Sequence, residues 1–173
     1  MPGSVERIGV KGRDPNETGL VKPSVASAQI RTGGLDGDHN HYRQEELHGD
    51  ADSAVLLLAA ETIESLNHDG WPVRPGDLGE NLTVRGLPAE LLGPGTRLSV
   101  GEAEIEISRT CDPCRNLYGL PYVGLERGPA FLRAALGRRG WYARVGREGV
   151  VRVGDRIEVL RPRDPVTVPA RPA

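Results

Sequence analysis

Between Ala103 and Ser108 the chain alternates, with Ala103, Ile105 and Ile107 on one side and Glu104, Glu106 and Ser108 on the other. A period of two marks a strand with one buried face. Thr96–Val100 precedes it across Gly101-Glu102, so the two segments predict a hairpin. Val150–Val153 and Arg156–Leu160 flank a Gly154-Asp155 turn. Val5–Val10, Ser24–Ile30 and Leu82–Val84 read as further short strands. Two segments carry helical spacing instead. Within Val55–Asn67, the residues Leu56, Ala59/Ala60, Ile63 and Leu66 recur on one side, Glu61 and Glu64 lie opposite, and His68-Asp69-Gly70 is the stop. Pro129–Leu136 is the second, with Pro129 suited to a first turn and Gly137 to the end.

Short strands thus outnumber helices, and the 23 glycines and 14 prolines punctuate the whole chain instead of gathering in a linker. The helices do not alternate with strands as a doubly wound parallel sheet requires. The pattern predicts a mainly β (α+β) fold, a closed or nearly closed β-barrel with peripheral helices. A chain of 173 residues suits one domain and buries about 70% of its unfolded surface without a disulfide or metal. The expected domain is 1–161. The last segment, 162–173, is proline-rich, lacks apolar periodicity and reads as a mobile tail. Asp14–Thr18 reads as a loop, and no internal repeat is present.

Charge narrows the partners. A formal net charge of −2 argues against an electrostatic grip on nucleic acid or an anionic membrane. No apolar run approaches the roughly 20 residues that span a bilayer, and the N-terminus lacks a signal-peptide layout. Two cysteines three positions apart do not make a secreted disulfide scaffold, so a reducing cytoplasm is expected. Lys11 and Lys22 are the only lysines among 22 basic residues. Codon bias accounts for most of the arginine excess, although the guanidinium also grips phosphate and carboxylate in two places at once.

The chemistry concentrates in Arg109-Thr110-Cys111-Asp112-Pro113-Cys114-Arg115-Asn116, directly after the best strand. Cysteine is usually a small buried hydrophobe. These neighbours are not those of a core strand, and Arg109 and Arg115 favour the thiolate that attacks or binds metal. A helix opening at Pro113 would add its positive end beneath Cys114, whereas Cys111 stands beside the negative Asp112. Cys114 is therefore the expected reactive thiol. The C-x-x-C spacing also suits a thioredoxin-like site, which needs a βαβ setting that is missing here. It equally suits half of a structural zinc site, which would need ligands from His39, His41 or His48. Gly33-Gly34-Leu35-Asp36-Gly37-Asp38 is a glycine-rich loop that reads as a tight turn or as backbone able to approach an anion. It matches neither nucleotide fingerprint. His48-Gly49-Asp50-Ala51-Asp52 and Pro75-Gly76-Asp77-Leu78-Gly79-Glu80-Asn81-Leu82 are polar turns that predict nothing alone.

Taken in order, these pieces resemble the MOSC family, named for the C-terminal domain of molybdenum cofactor sulfurase. The stations are Gly34–Asp38, His48–Val55, Gly76–Leu82, Pro113–Leu117 and Gly140–Val145 followed by Gly154-Asp155. They run from about Val5 to Leu160 and look most like the stand-alone bacterial YiiM-like branch. The resemblance implies a β-barrel-like fold and a molybdenum cofactor (molybdopterin), with Cys114 as the cysteine that coordinates molybdenum or carries sulfur. Cys111 has no assured counterpart, so its role stays open and it stands beside Cys114 as a second catalytic candidate. By the same resemblance Gly34, Gly37, Asp38, His48, Asp52, Asn81 and Asn116 are cofactor-binding candidates, and Arg31, Arg85 and Arg109 are candidates for its phosphate. Relatives reduce N-hydroxylated compounds with electrons from a separate electron-transfer protein, or carry sulfur. The absence of flavin, nicotinamide and iron–sulfur motifs means that a reductase here would need such a partner beside its small-molecule substrate. A non-catalytic module that stores or delivers cofactor or sulfur is the alternative, and a structural zinc protein a third. His48-Gly49-Asp50 departs from the His-Gly-Gly of the YiiM-like branch, which puts a side chain near the implied pocket.

Overall fold

The computed structural model describes residues 2–16, 20–40 and 42–163. Eleven strands are described: β1 (Gly3–Gly9), β2 (Ser24–Val25), β3 (Ser27–Arg31), β4 (Gly34–Leu35), β5 (Val55–Ala59), β6 (Leu82–Arg85), β7 (Arg97–Val100), β8 (Ala103–Thr110), β9 (Trp141–Arg147), β10 (Gly149–Arg152) and β11 (Arg156–Arg161). The α-helices are α1 (Ala60–His68) and α2 (Gly124–Ala135). Strands β11-β7-β8-β9-β5-β6-β1 hydrogen-bond in that order, and β1 pairs with β11 through Gly3↔Ile157, which closes a seven-stranded barrel. Closure removes the free edges that an open sheet would expose. Strands β10-β3-β4 form a small second sheet.

The period-two segments become strands where expected, and Val100↔Ala103 across Gly101-Glu102 confirms the β7–β8 hairpin. Ser24–Ile30 is broken at Ala26. Val25 pairs with Ile8 of β1, whereas Ala28 pairs with Val151 of β10, so the chain leaves the barrel there for the second sheet. The glycine-rich loop contains the β3–β4 turn, with Arg31 opposite Gly34.

Val55–Asn67 is not one helix. Its first five residues are β5, and α1 begins only at Ala60. The reason is two-sided burial. Val55 and Leu57 join the core inside the barrel, Leu58 joins the core beneath the helices, and Leu56 packs with Cys111 and Tyr142. A strand buried on both faces has no polar alternation, so its apolar run merges with the helix that follows. That helix does bury Ala60, Ile63 and Leu66, and Gly70, with φ 86°, ends it. It carries the chain to β6, which lies parallel to β5, the one parallel pair among the described strands. The second helix also differs from expectation. It starts at Gly124, so Pro129 sits inside it and not in its first turn.

Two cores result. One fills the barrel with Val5, Ile30, Leu82, Leu98, Ile105 and their neighbours. The other packs Leu58, Ile63, Leu66, Trp71, Leu117 and Phe131 between the barrel wall and both helices. There the Trp71 and Phe131 rings lie 4.9 Å apart and tilted, and Tyr122 meets Phe131 edge-on at 6.1 Å. Such ring pairs add about 0.5–1.5 kcal/mol each beyond their buried area. The 162–173 tail falls largely outside the described residues, which end with Arg163 donating its N–H to the Leu91 carbonyl (3.3 Å). Residues 17 and 18 of the expected 14–18 loop also lie outside them. Among the described residues no helix is long and apolar enough to cross a membrane.

Gly140, which leads into β9, is the tightest point of this packing. Its φ is +76°, and a Cβ built there would lie 1.8 Å from the Leu57 carbonyl oxygen of β5. Gly140→Ala combines a left-handed backbone with a collision against main chain. We expect it to lower unfolding free energy by at least about 2 kcal/mol in urea titrations. An unchanged midpoint would mean that β5 and β9 are less tightly apposed than described.

Candidate functional site

The end of β8 delivers Arg109 and Thr110 to one rim of a cavity of about 420 Å³. The chain then runs through Asp112 and Pro113 to Cys114 and a short 3₁₀ turn, Arg115–Gly119, which contributes Asn116 and Leu117 to the same cavity. The opposite wall comes from Leu20 and Lys22, from Leu56 of β5, from Leu78-Gly79, and from Arg139 and Tyr142 around the start of β9. The size suits a small-molecule ligand.

The two cysteines differ in their surroundings. Cys114 is half-buried in the cavity lining and is the residue from which the 3₁₀ turn departs, in extended conformation. The helix expected to open at Pro113 is thus a single short turn beginning at Arg115. Cys111 is only 3% exposed, packed against Leu56 and Tyr142. Burial first, and the electrostatic effect of neighbouring Cys111 second, push the Tyr142 phenol well above its usual range.

Cationic groups crowd this space. The Arg109 guanidinium stacks 4.9 Å from the centre of the Tyr142 ring, donates to the Ser53 hydroxyl and lies 3.9 Å from Asp50. Arg139 is 6% exposed and donates to the Leu78 carbonyl. Each of these arginines keeps one buried Nε without a hydrogen-bond partner among the described residues. Leaving a buried polar atom unpaired costs about 1–3 kcal/mol, and Arg7 Nη1 and Glu80 Oε2 are in the same condition. Lys22, 2% exposed, donates to Asp38 at 2.6 Å. Burial lowers its pKa, and Asp38 partly restores it. Asn81 donates to the same Asp38 oxygen (2.8 Å) while holding the Leu56 N–H (3.1 Å). Beside them Glu80 is fully buried, and burial raises its pKa against the amide of Gly76 and the hydroxyl of Thr83.

Of the residues singled out in the sequence, Arg109, Cys114 and Asn116 line the cavity. Cys111, Asp38 and Asn81 stand one layer behind, each bonded to or packed on a lining residue. The remaining candidates are not brought there. Arg31 is spent on Asp36, with both carboxylate oxygens within 2.9 Å of its Nε, and Arg85 is spent on Glu6 and Glu64. His48 is exposed with φ 49°, and Asp52 pairs with Arg144 at 3.3 Å. In the glycine-rich loop containing Gly34 and Gly37, the Thr32 N–H is taken by Glu148, that of Asp36 by Gln29 and that of Asp38 by Leu35. Arg43 occupies the Gly33 carbonyl. Among the described residues no three His, Cys, Asp or Glu side chains converge on a metal position; His41 lies outside them. Lys22, Arg139 and Tyr142 were not foreseen as site residues. The one available signal for Lys22 is its rarity in an arginine-rich chain, and for the other two their place around Gly140-Trp141.

Known proteins share this architecture. The YuaD protein from Bacillus subtilis superposes with a TM-score of 0.73 at 24% identity, over 91% of this chain and 94% of that one. YiiM from Geobacillus stearothermophilus gives 0.69 at 24% identity, over 92% of this chain and 76% of that one. The uncharacterized protein YflK from Bacillus subtilis is 30% identical over 156 residues, which are 83% of this chain; the chain spans only 64% of that relative's length. A family model for the MOSC domain, a domain generally associated with molybdenum cofactor, matches residues 44–158, well over half of the sequence. By that match this chain belongs to the MOSC domain family.

Proposed function

We propose that the cavity beside Cys114 holds a molybdenum cofactor and that the protein uses it to reduce small N-hydroxylated compounds, with electrons from a separate donor protein. The observation that carries this reading is a cavity lined together by Arg109, Arg139 and the half-buried Cys114. An anionic ligand would be held between the two guanidinium groups, and a guanidinium pair is the natural grip for phosphate. Thiolate is a fitting protein ligand for a soft, sulfur-rich metal centre. The Cys114 sulfur would then bind the metal, Arg109 and Arg139 would hold the anionic part, and Asn116 would supply a further polar contact. When bound, the cofactor supplies the two-electron redox chemistry; the chain supplies position and charge. Lys22 and Asp38 hold the wall, and Leu20, Leu56, Leu78 and Leu117 exclude water from part of it. A pure sulfur carrier needs a thiol open to a macromolecular donor. A cysteine set in a cavity lining suits a resident cofactor better.

Two measurements test this. The first is metal and pterin analysis of protein made in a cofactor-competent host. Wild type should carry molybdenum and pterin in near-equal amounts, and Cys114→Ser should lose the metal. Arg139→Lys and Arg109→Ala each remove charge-assisted contacts worth about 1.5–3 kcal/mol, so cofactor retention should fall about 10- to 100-fold. Melting temperatures should hardly move. Equal loading in both arginine variants, or zinc in place of molybdenum, would overturn the assignment. The second is thiol labelling of cofactor-free protein at neutral pH. Cys111→Ser should label rapidly through Cys114, and Cys114→Ser should label only on unfolding, because Cys111 is buried. Equal rates would remove Cys114 from its place as the accessible thiol.

A further inference from the structure

Lys22 is one of two lysines in a chain whose other basic residues are arginine, and the fold buries it in the cavity lining. Its ammonium carries three N–H donors. Asp38 Oδ2, at 2.6 Å, is the only acceptor they meet among the described residues. Main-chain bonds pin the residue: its backbone N–H donates to the Gly76 carbonyl (3.1 Å), and its carbonyl accepts from Arg7. Asp38 is fixed in turn by Asn81 on the same oxygen and by the Lys11 amide on the other. A held ammonium with N–H groups to spare thus belongs to the cavity wall.

A purely structural ion pair is served as well by arginine, which makes the pairs on the barrel surface. Lysine differs in that it can release its proton when its surroundings disfavour the charge. Burial, the largest effect, lowers the Lys22 pKa, while the charges of Asp38 and then Glu80 raise it. Arg7 and Lys11 are the other charged residues bonded to the pair, and Arg109, Arg139, Tyr142, Asp112 and Cys114 share the cavity. None of these five matches Lys22 as a proton donor. Arginine does not give up its proton in proteins, and burial pushes the Tyr142 phenol well above its usual range. Cys114 serves the metal in the proposed function, and Asp112 is exposed.

We propose that Lys22 is the proton donor of this site: as the N–O bond of an N-hydroxylated compound breaks, its ammonium protonates the leaving hydroxyl, which departs as water. The inference rests on the reductase function proposed above. Two electrons from the electron-transfer protein and two protons convert R–NH–OH to R–NH2 and water. Lys22 supplies the proton on oxygen and solvent the proton on nitrogen, and the neutral amine then regains a proton from solvent. Asp38 is a positioning residue, which holds the ammonium and favours its protonated form. The active form is protonated, so kcat falls as pH rises through the Lys22 pKa.

Having only two lysines makes the test direct. With 13C at the lysine Cε positions, cofactor-free protein gives two side-chain NMR signals, and Lys11→Arg identifies one of them. The Lys22 signal should titrate below the ordinary lysine value of about 10.4. Titration at or above that value would overturn the inference. Molybdenum-loaded wild type, supplied with a reduced viologen dye, should reduce an N-hydroxylated base with a kcat that declines on the alkaline side. Lys22→Arg keeps the charge without a releasable proton. It should retain molybdenum and a KM within a few-fold, lose about 100-fold or more in kcat, and lose the alkaline decline. If Lys22→Arg does not fold, the wild-type titration and pH profile decide, and a kcat flat into the alkaline range overturns the assignment. An active wild type indifferent to Lys22→Arg would overturn this inference alone. A loaded wild type that reduces no N-hydroxylated compound would overturn the reductase function and this inference with it.

Discussion

The cavity wall depends on one buried ion pair. Lys22 and Asp38 are almost wholly withdrawn from water, 2.6 Å apart, and every nearby element is tied to them. Asn81 donates to Asp38 and to the Gly9 carbonyl of β1, and accepts from Leu56 of β5. The Lys11 amide reaches the other Asp38 oxygen at 2.9 Å, and Arg7 donates to the Lys22 carbonyl. Such a pair is a poor source of net stability, because desolvating two charges consumes most of their attraction. Removing one partner, however, strands the other and costs about 3–5 kcal/mol. The pair therefore acts as a constraint. The stretches around Lys22, before β2, and Asp38, after β4, are held against the closed barrel in one arrangement.

How much of this was legible depends on whether a feature is local. Strands with one polar face, such as β8 and β11, announce themselves by alternation. β9 does not, since Tyr142 and Ala143 are consecutive and both buried, and its pairing with β8 slips between Ile107 and Arg109. β5 hid in an apolar run for the reason that makes it central: both of its faces are covered. The start of α2 was masked by Gly128 and Pro129, which packing against Tyr118 and the aromatic cluster overrides. The site follows the same rule. Arg109, Cys114 and Asn116 fall in one stretch and were readable from composition. Lys22 and Arg139 come from opposite ends of the chain and look like ordinary solvated charges until the barrel closes around them.

The arginine excess, which in sequence carries little information, divides in space. Most of these side chains are paired on the barrel surface: Arg97 and Arg147 on Glu104, Arg152 on Glu102, Arg161 on Glu106, Arg85 on Glu6 and Glu64. Exposed pairs of this kind contribute about 0–1 kcal/mol each. Their effect is to neutralise the wall locally, which leaves few cations with unused hydrogen-bonding capacity. Arg109 and Arg139 are the two arginines that line the cavity, beside a half-buried thiol. Neutralising the outside while keeping guanidinium groups at the cavity would let a chain with net charge −2 attract the proposed anionic ligand to one place. Low dielectric then strengthens each contact made there. If the site holds the proposed anionic ligand, its selectivity would come less from how many arginines the chain contains than from which of them line the cavity.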